Sequence, residues 1–256
     1  RIRVDTEDVN SKIQALVRDR EKLADVKIHQ KENARLQLEI IELRNQLELA
    51  KPSQLKGLRQ SRHVLSSEYS AAEWYNKGLK TDNIDKQIEY YTFSIEQNPD
   101  FLNPYINRGN AYASNNNFDD ALSDLNKAIQ IDRNSLPALR SRGFVYHLSG
   151  NYDRALDDYE LALKSDSNDA ITYFMRGQTN NLLGEIDRAL MDLNKAIQLA
   201  PNYGDSYYSR GNAYFIKGDY DRALMDYNRA IEINPYDYST YHNRGLIYNS
   251  VGRYDL

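Results

Sequence analysis

From residue 68 to the end of the chain, small, aromatic and polar positions recur with a single period. Gly109, Gly143, Gly177, Gly211 and Gly245 stand 34 residues apart, and Arg108, Arg142, Arg176, Arg210 and Arg244 precede them. Ala121, Ala155, Ala189 and Ala223 recur in phase, as do Ala128, Ala162, Ala196 and Ala230. A fixed period of this length marks stacked copies of one supersecondary unit rather than a globule around one core. Within residues 205–235, Tyr207, Gly211 and Tyr214 fall on one face of a first helix. Gly218 and Asp219 make a turn, Ala223, Tyr227 and Ala230 share a face of a second helix, and Pro235 closes the copy.

Residues 6–50 follow another pattern. They hold no Pro or Gly and are rich in Glu, Lys, Arg, Gln and Leu, all good helix formers. Val9, Ile13, Leu16 and Leu23 step 4-3-7, and Leu36, Ile40, Leu43 and Leu47 step 4-3-4, the seam spacing of a coiled coil. The two runs are out of phase, because Leu36 lies 27 residues after Val9, one short of four heptads. Such a break is absorbed by overwinding or by a change of partner. A continuous helix here would be roughly 65 Å long, and its seam needs a cover. A second copy, a helix of another chain and the repeats themselves all offer one. Pro52 ends the pattern, so residues 1–50 are expected to form a coiled-coil helix, 51–67 a linker and 68–256 the repeats.

The repeating residues resemble the tetratricopeptide repeat, whose signature runs aromatic, Leu-Gly, Tyr, Ala, Phe and Pro. The resemblance covers about residues 71–256. It implies an all-α protein: an α-solenoid of helix-turn-helix units forming a right-handed superhelix, with five repeats and a truncated sixth. Small residues at Gly211, Ala223 and Ala230 let the two helices of a unit cross closely. Most of the 21 tyrosines are then core. Gly150, Gly184, Gly218 and Gly252 sit where the first helix ends and a left-handed residue is favoured. Residues 71–99 are an irregular first copy, with a shortened turn between Gly78 and Pro99. Pro99, Pro201 and Pro235 close their copies, whereas Arg133 and Ser167 replace proline in two others, and Asn180 stands where Tyr112, Tyr146, Tyr214 and Tyr248 stand elsewhere.

One departure is systematic. Arg replaces the family's Leu before each Gly, and Asp124, Asp158, Asp192 and Asp226 accompany it on the second helix. The irregular first copy has Lys77 and Tyr90 at these places. Arg and Asp appear together and vanish together, which predicts an ion pair between the two helices of each regular unit.

In tetratricopeptide proteins the first helices line a concave groove that takes a peptide or a partner's helix. Carried onto this sequence, the groove-facing positions include Asn107, Asn110, Arg140, Phe144, His147, Phe174, Gln178, Asn181, Tyr208, Asn212, Phe215 and Asn243. The lining is rich in amides and aromatics. Amides bond both N–H and C=O of a backbone, and aromatics supply pockets for apolar side chains. The basic residues with which chaperone-binding relatives grip a terminal carboxylate are missing: Arg140 stands alone and Phe144 follows where Asn is expected.

Composition narrows the chemistry further. The chain has no cysteine, which removes disulfides and thiol nucleophiles and fits a cytoplasmic location. Its net charge is −4, with +3 over residues 1–60 and −7 beyond, so neither part has the basic face that nucleic acid requires. No stretch approaches the roughly 18 apolar residues of a membrane span, so membrane insertion is not expected. The four histidines are scattered, no phosphate loop is present, and neither a catalytic residue, a metal site nor a cofactor is expected. The chain opens without Met and stops inside a copy, so it reads as part of a longer protein. The expected function is that of a scaffold or adaptor, binding a peptide or partner segment in the groove while the heptad segment self-associates or docks a partner helix. The alternatives are the substrate-recruiting part of a larger enzyme and a structural subunit of a multiprotein machine.

Overall fold

The computed structural model describes residues 69–250, and the expected coiled coil (1–50) and linker (51–67) lie outside them. The described residues are helical without strands, in eleven helices that pair in chain order. Five units are α1 (Ala71–Leu79) with α2 (Ile84–Gln97), α3 (Leu102–Ser114) with α4 (Phe118–Ile131), α5 (Leu136–Leu148) with α6 (Tyr152–Ser165), α7 (Ala170–Leu182) with α8 (Ile186–Leu199), and α9 (Gly204–Ile216) with α10 (Tyr220–Ile233). A first helix, α11 (Tyr238–Ser250), follows them.

Five of the helices start at a side-chain cap. The side chains of Asn83, Asn117, Ser135, Asp169 and Asp219 accept from a backbone N–H in the first turn of their helices. The turn within each of the four regular units holds one left-handed residue. Gly150, Gly184 and Gly218 supply it at φ of 77°, 77° and 79°, and Asn116 at 57° does so where glycine is missing. The closing prolines have a second use: Tyr105 and Tyr207 donate through their hydroxyls to the carbonyls of Pro99 and Pro201, each at 3.1 Å.

The core runs along the interface between the two helices of each unit. Ala121, Ala155, Ala189 and Ala223 are wholly buried, as are Leu125, Tyr159, Leu193 and Tyr227 one turn on. Leu and Tyr alternate at that last position, and the glycine of the facing first helix makes room for either. A Cβ on Gly143 would lie 2.7 Å from Tyr159 Cε1, and one on Gly211 would lie 2.6 Å from Tyr227 Cε1. At Gly245 a Cβ would meet nothing within 4 Å among the described residues. The first unit keeps this packing in altered form. Its Trp74 stacks on Tyr90 and tilts against Phe93, and the Lys77 ammonium lies over the Trp74 ring.

The expected ion pairs are present. Arg108, Arg142, Arg176 and Arg210 each bind both carboxylate oxygens of Asp124, Asp158, Asp192 and Asp226, at 2.6–2.9 Å. The aspartates are 3–6% exposed. Hydrogen bonds to Asp158 and Asp192 are the largest influence on Arg142 and Arg176, outweigh their burial and hold both guanidinium groups above the usual range. The third guanidinium nitrogen reaches the preceding unit: Arg108 to Thr92 Oγ1 at 2.8 Å, Arg142 to Asn126 Oδ1 at 2.7 Å, Arg210 to Asn194 Oδ1 at 2.6 Å and Arg244 to Asn228 Oδ1 at 2.8 Å. One side chain therefore joins three helices.

Two sets of substitutions test this packing by urea unfolding. Gly143→Ala should cost about 1–3 kcal/mol, since the ring of Tyr159 has to move. Gly245→Ala should be neutral or slightly stabilising, as alanine is the better helix former. Arg142→Met should cost about 3–5 kcal/mol by leaving Asp158 buried and unpaired, and adding Asp158→Leu should restore most of that loss.

Candidate functional site

The first helices stand side by side, and side chains at their contacts bond from one unit to the next. His147 Nδ1 on α5 meets Thr179 Oγ1 on α7 at 2.8 Å. Gln178 donates to Ser209 Oγ at 3.3 Å and Asn181 to the Ser209 carbonyl at 3.0 Å, joining α7 to α9. Asn243 on α11 donates to Asn212 Oδ1 at 2.9 Å and to Tyr208 Oη at 3.2 Å. Tyr227 also donates to Asn212 Oδ1, at 2.7 Å, so that oxygen is fully used and the Asn212 amide N–H groups remain for other partners.

Two cavities open on this face. One, of about 370 Å³, is lined by His147, Gln178, Asn181, Tyr208, Asn212, Phe215 and Asn243 together with Leu182, Ser209 and Ile216. The other, of about 650 Å³, brings Asn110, Arg140 and Phe144 together with Leu148, Ile171 and Met175, among others. Ten of the twelve residues expected from the sequence thus line two cavities on one face.

The remaining two lie elsewhere. Phe174 is not a groove residue: it is 7% exposed and packs edge-on against Tyr203, because its place on α7 turns it toward the core. Asn107 lines neither cavity and donates to Tyr75 Oη at 3.3 Å, joining the first two units. Arg140 lines the larger cavity and is paired. It bonds both oxygens of Asp169 at 2.9 and 3.0 Å, and Asp169 also caps α7. Burial would raise the Asp169 pKa, but bonds from Thr172 and the Arg140 charge outweigh it and hold it below the usual range. Sequence reasoning missed Leu148, Leu182 and Ile216, whose common 34-residue spacing was the available signal.

The lining of the smaller cavity carries no formal charge. Burial pushes the His147 imidazole below its ordinary range and keeps it neutral near pH 7. Its tautomer follows from its partner: the Thr179 hydroxyl donates to the Met175 carbonyl, so Thr179 Oγ1 accepts from His147 Nδ1–H. Nε2 is then an acceptor. A cavity of about 640 Å³ away from this face is lined by Lys217, Asp219, Asp221 and Arg222 among others. Lys217 pairs with Asp187 and Arg222 with Asp219, so three of these four charges are met within the chain. Among the described residues no group of three His, Asp or Glu side chains could hold a metal ion.

Comparison with known proteins agrees with this architecture. Models of the tetratricopeptide repeat match residues 103–135 and 204–237, 145–204, and 226–256, together more than half of the chain. Among solved structures, YrrB, "a TPR protein with an unusual peptide-binding site", is 27% identical with a TM-score of 0.54, over 66% of this chain and 87% of that one. A thermophilic TPR protein of Thermus thermophilus aligns with a TM-score of 0.59 at 18% identity, over 69% of this chain and 98% of that one. The UDP-N-acetylglucosamine–peptide N-acetylglucosaminyltransferase of Giardia intestinalis is 35% identical over 88 residues, 33% of this chain. The aligned stretch is only 6% of that enzyme's length.

The buried neutral His147 sets a pH dependence. A histidine whose folded pKa lies below its unfolded value stabilises the fold fully above the unfolded value, and that contribution is lost as pH falls through the folded one. The urea midpoint of the chain should therefore fall between pH 7.5 and 5.5 by more than that of the His147→Gln variant. Parallel pH profiles would show that His147 is not the group responsible.

Proposed function

We propose that this chain, which belongs to the tetratricopeptide-repeat family, is a protein-interaction scaffold that binds a peptide or partner segment on its first-helix face. The observation that carries the reading is the pair of adjacent cavities lined by amide and aromatic side chains with no unpaired charge. Such a lining suits a neutral stretch of polypeptide: amides meet its backbone groups, and Phe144, Tyr208 and Phe215 contact its apolar side chains. The peptide-binding site named for YrrB adds support. A free carboxylate is disfavoured, since Arg140 is already paired with Asp169. The heptad segment outside the described residues supplies a second contact, by self-association or a partner helix, and linking two sites raises avidity. No helix of the described residues is long and apolar enough to cross a membrane. The absence of cysteine is compatible with a reducing compartment, and the cytoplasm is the one we assign.

The stretch shared with the Giardia transferase favours a second reading, in which these repeats recruit substrate for a catalytic domain. On that reading the natural polypeptide carrying this sequence transfers label from UDP-N-acetylglucosamine to a peptide hydroxyl. If that polypeptide transfers none, the second reading goes.

A random peptide library displayed on phage and selected against the chain tests the first reading. Selected peptides should bind with Kd in the micromolar range, and Phe144→Ala or Asn110→Ala should weaken them about tenfold, or about 1.4 kcal/mol, without shifting the unfolding midpoint. If neither substitution changes affinity, binding is not on this face.

A further inference from the structure

Tyr112, Tyr146 and Tyr214 hold one place in three of the four regular units, and Asn180 holds it in the fourth. Arginines close over the tyrosine rings. The guanidinium carbons of Arg142 and Arg154 lie 5.9 and 5.6 Å from the centre of the Tyr146 ring. Tyr112 has Arg108 at 5.9 Å, and Tyr214 has Arg222 at 5.6 Å. At such distances the face of the ring attracts the cation. The α7–α8 unit keeps both arginines of the Tyr146 arrangement, as Arg176 and Arg188 at the same spacing, and lacks the ring.

An open slot of about 280 Å³ stands there, lined by Arg176, Arg188, Asn180, Asp192, Leu156 and Met191 among others. Arg176 uses Nε and one terminal nitrogen on Asp192, and its other terminal nitrogen makes no hydrogen bond among the described residues. Arg188 pairs with Glu185 across the turn. That does not stop it from covering a ring, since Arg222 pairs with Asp219 and still lies over Tyr214. Met191 is 73% exposed. Water would meet the charged groups and leave Leu156 and Met191 wet. An aromatic ring suits both kinds of wall, because its faces attract guanidinium groups and its carbon skeleton covers apolar surface.

Residues 1–68 hold no Phe, Trp or Tyr, so that part of the chain cannot supply the ring. The slot shares no lining residue with the two first-helix cavities. We propose that it is a separate binding site, which receives a tyrosine side chain of a partner protein in the place that Tyr146 and Tyr214 fill within their own units. The site is independent of whether peptides bind the first-helix face.

The three methionines report on the proposal when the full chain carries labelled methyl groups for NMR. Met191 lines the slot, Met225 holds the same place in the next unit, where Tyr214 is present, and Met175 lines the larger first-helix cavity. Acetyl-Gly-Tyr-Gly-amide should move the Met191 signal with a Kd in the millimolar range and leave Met225 in place, whereas acetyl-Gly-Leu-Gly-amide should move neither. Asn180→Tyr should fill the slot from within, abolishing the Met191 response and raising the urea midpoint. Arg188→Gln, at a side chain 71% exposed, should weaken the tyrosine peptide about threefold by removing one cation. Tyr214→Asn should open the matching slot and make Met225 respond, which keeps the test intact if Asn180→Tyr fails to fold. A Met191 signal that ignores the tyrosine peptide, that follows the leucine peptide equally, or that still responds in a folded Asn180→Tyr chain would overturn the proposal. A Met191 signal that moves with chain concentration alone would give the slot to a second copy and overturn its assignment to another protein. Peptides from the library that move Met175 and not Met191 would leave the first-helix reading standing if the slot fails.

Discussion

The stack depends on an arginine that answers to three helices at once. Arg142 shows the arrangement in full. Two of its nitrogens grip both oxygens of Asp158 on the second helix of its own unit, and a third reaches Asn126 on the second helix of the unit before. The first bond fixes how the helices of a unit cross, and the second fixes how units stack. Burying both charges is expensive, and the bidentate geometry is what makes the cost tolerable. Solenoid stability is a sum of unit terms and nearest-neighbour terms. Here one side chain contributes to both, so a unit that loses its arginine also loosens its neighbour.

The junction between α5–α6 and α7–α8 shows what happens when the pattern slips. The residue facing Arg176 from the preceding unit is Glu160, which pairs with Lys164, and among the described residues Arg176 hydrogen-bonds only Asp192. Asn180 replaces the tyrosine that lies near the arginine in other units and donates to Asp192 at 3.2 Å. A cavity of about 280 Å³ opens there, lined by Glu160, Arg176, Asn180 and Asp192 among others. The same junction gains a bond on the opposite face, where Arg140 on α5 grips Asp169 at the start of α7. A staple lost at the second helices is offset by one at the first helices, and that replacement is also what removes free charge from the groove.

The frame was legible in the sequence because each of its residues answers a local demand. A glycine facing Leu125 or Tyr159, an alanine at a helix crossing and an arginine that co-occurs with an aspartate are constrained by neighbours at fixed offsets. The inter-unit bonds were harder to see. Thr92, Asn126, Asn194 and Asn228 lie 16 residues before their arginines, a spacing that crosses a unit boundary and that neither helix periodicity nor the family signature reports. Phe174 was misplaced, and the partner of Arg140 was missed, for related reasons. A family offset assigns a helix face, but the rotation that buries Phe174 beside Tyr203 and the aspartate that meets Arg140 both come from the next unit along the chain.

The division between what repeats and what varies locates the chemistry. Arginine, aspartate and the small residues recur because every unit must cross and stack in the same way, and a side chain held by three helices has nothing left to offer a ligand. The first-helix positions outside that frame are free to differ. Asn110, Phe144, Gln178 and Asn212 share one phase, and His147, Asn181 and Phe215 share another. Four amides, two aromatics and a neutral imidazole in equivalent places cannot be a response to a common packing demand. They make each step of the face chemically distinct over a constant scaffold. On the proposed reading, a uniform ladder would bind any register of a partner equally well, whereas this sequence of steps would distinguish one register from the next, and specificity is that difference in affinity.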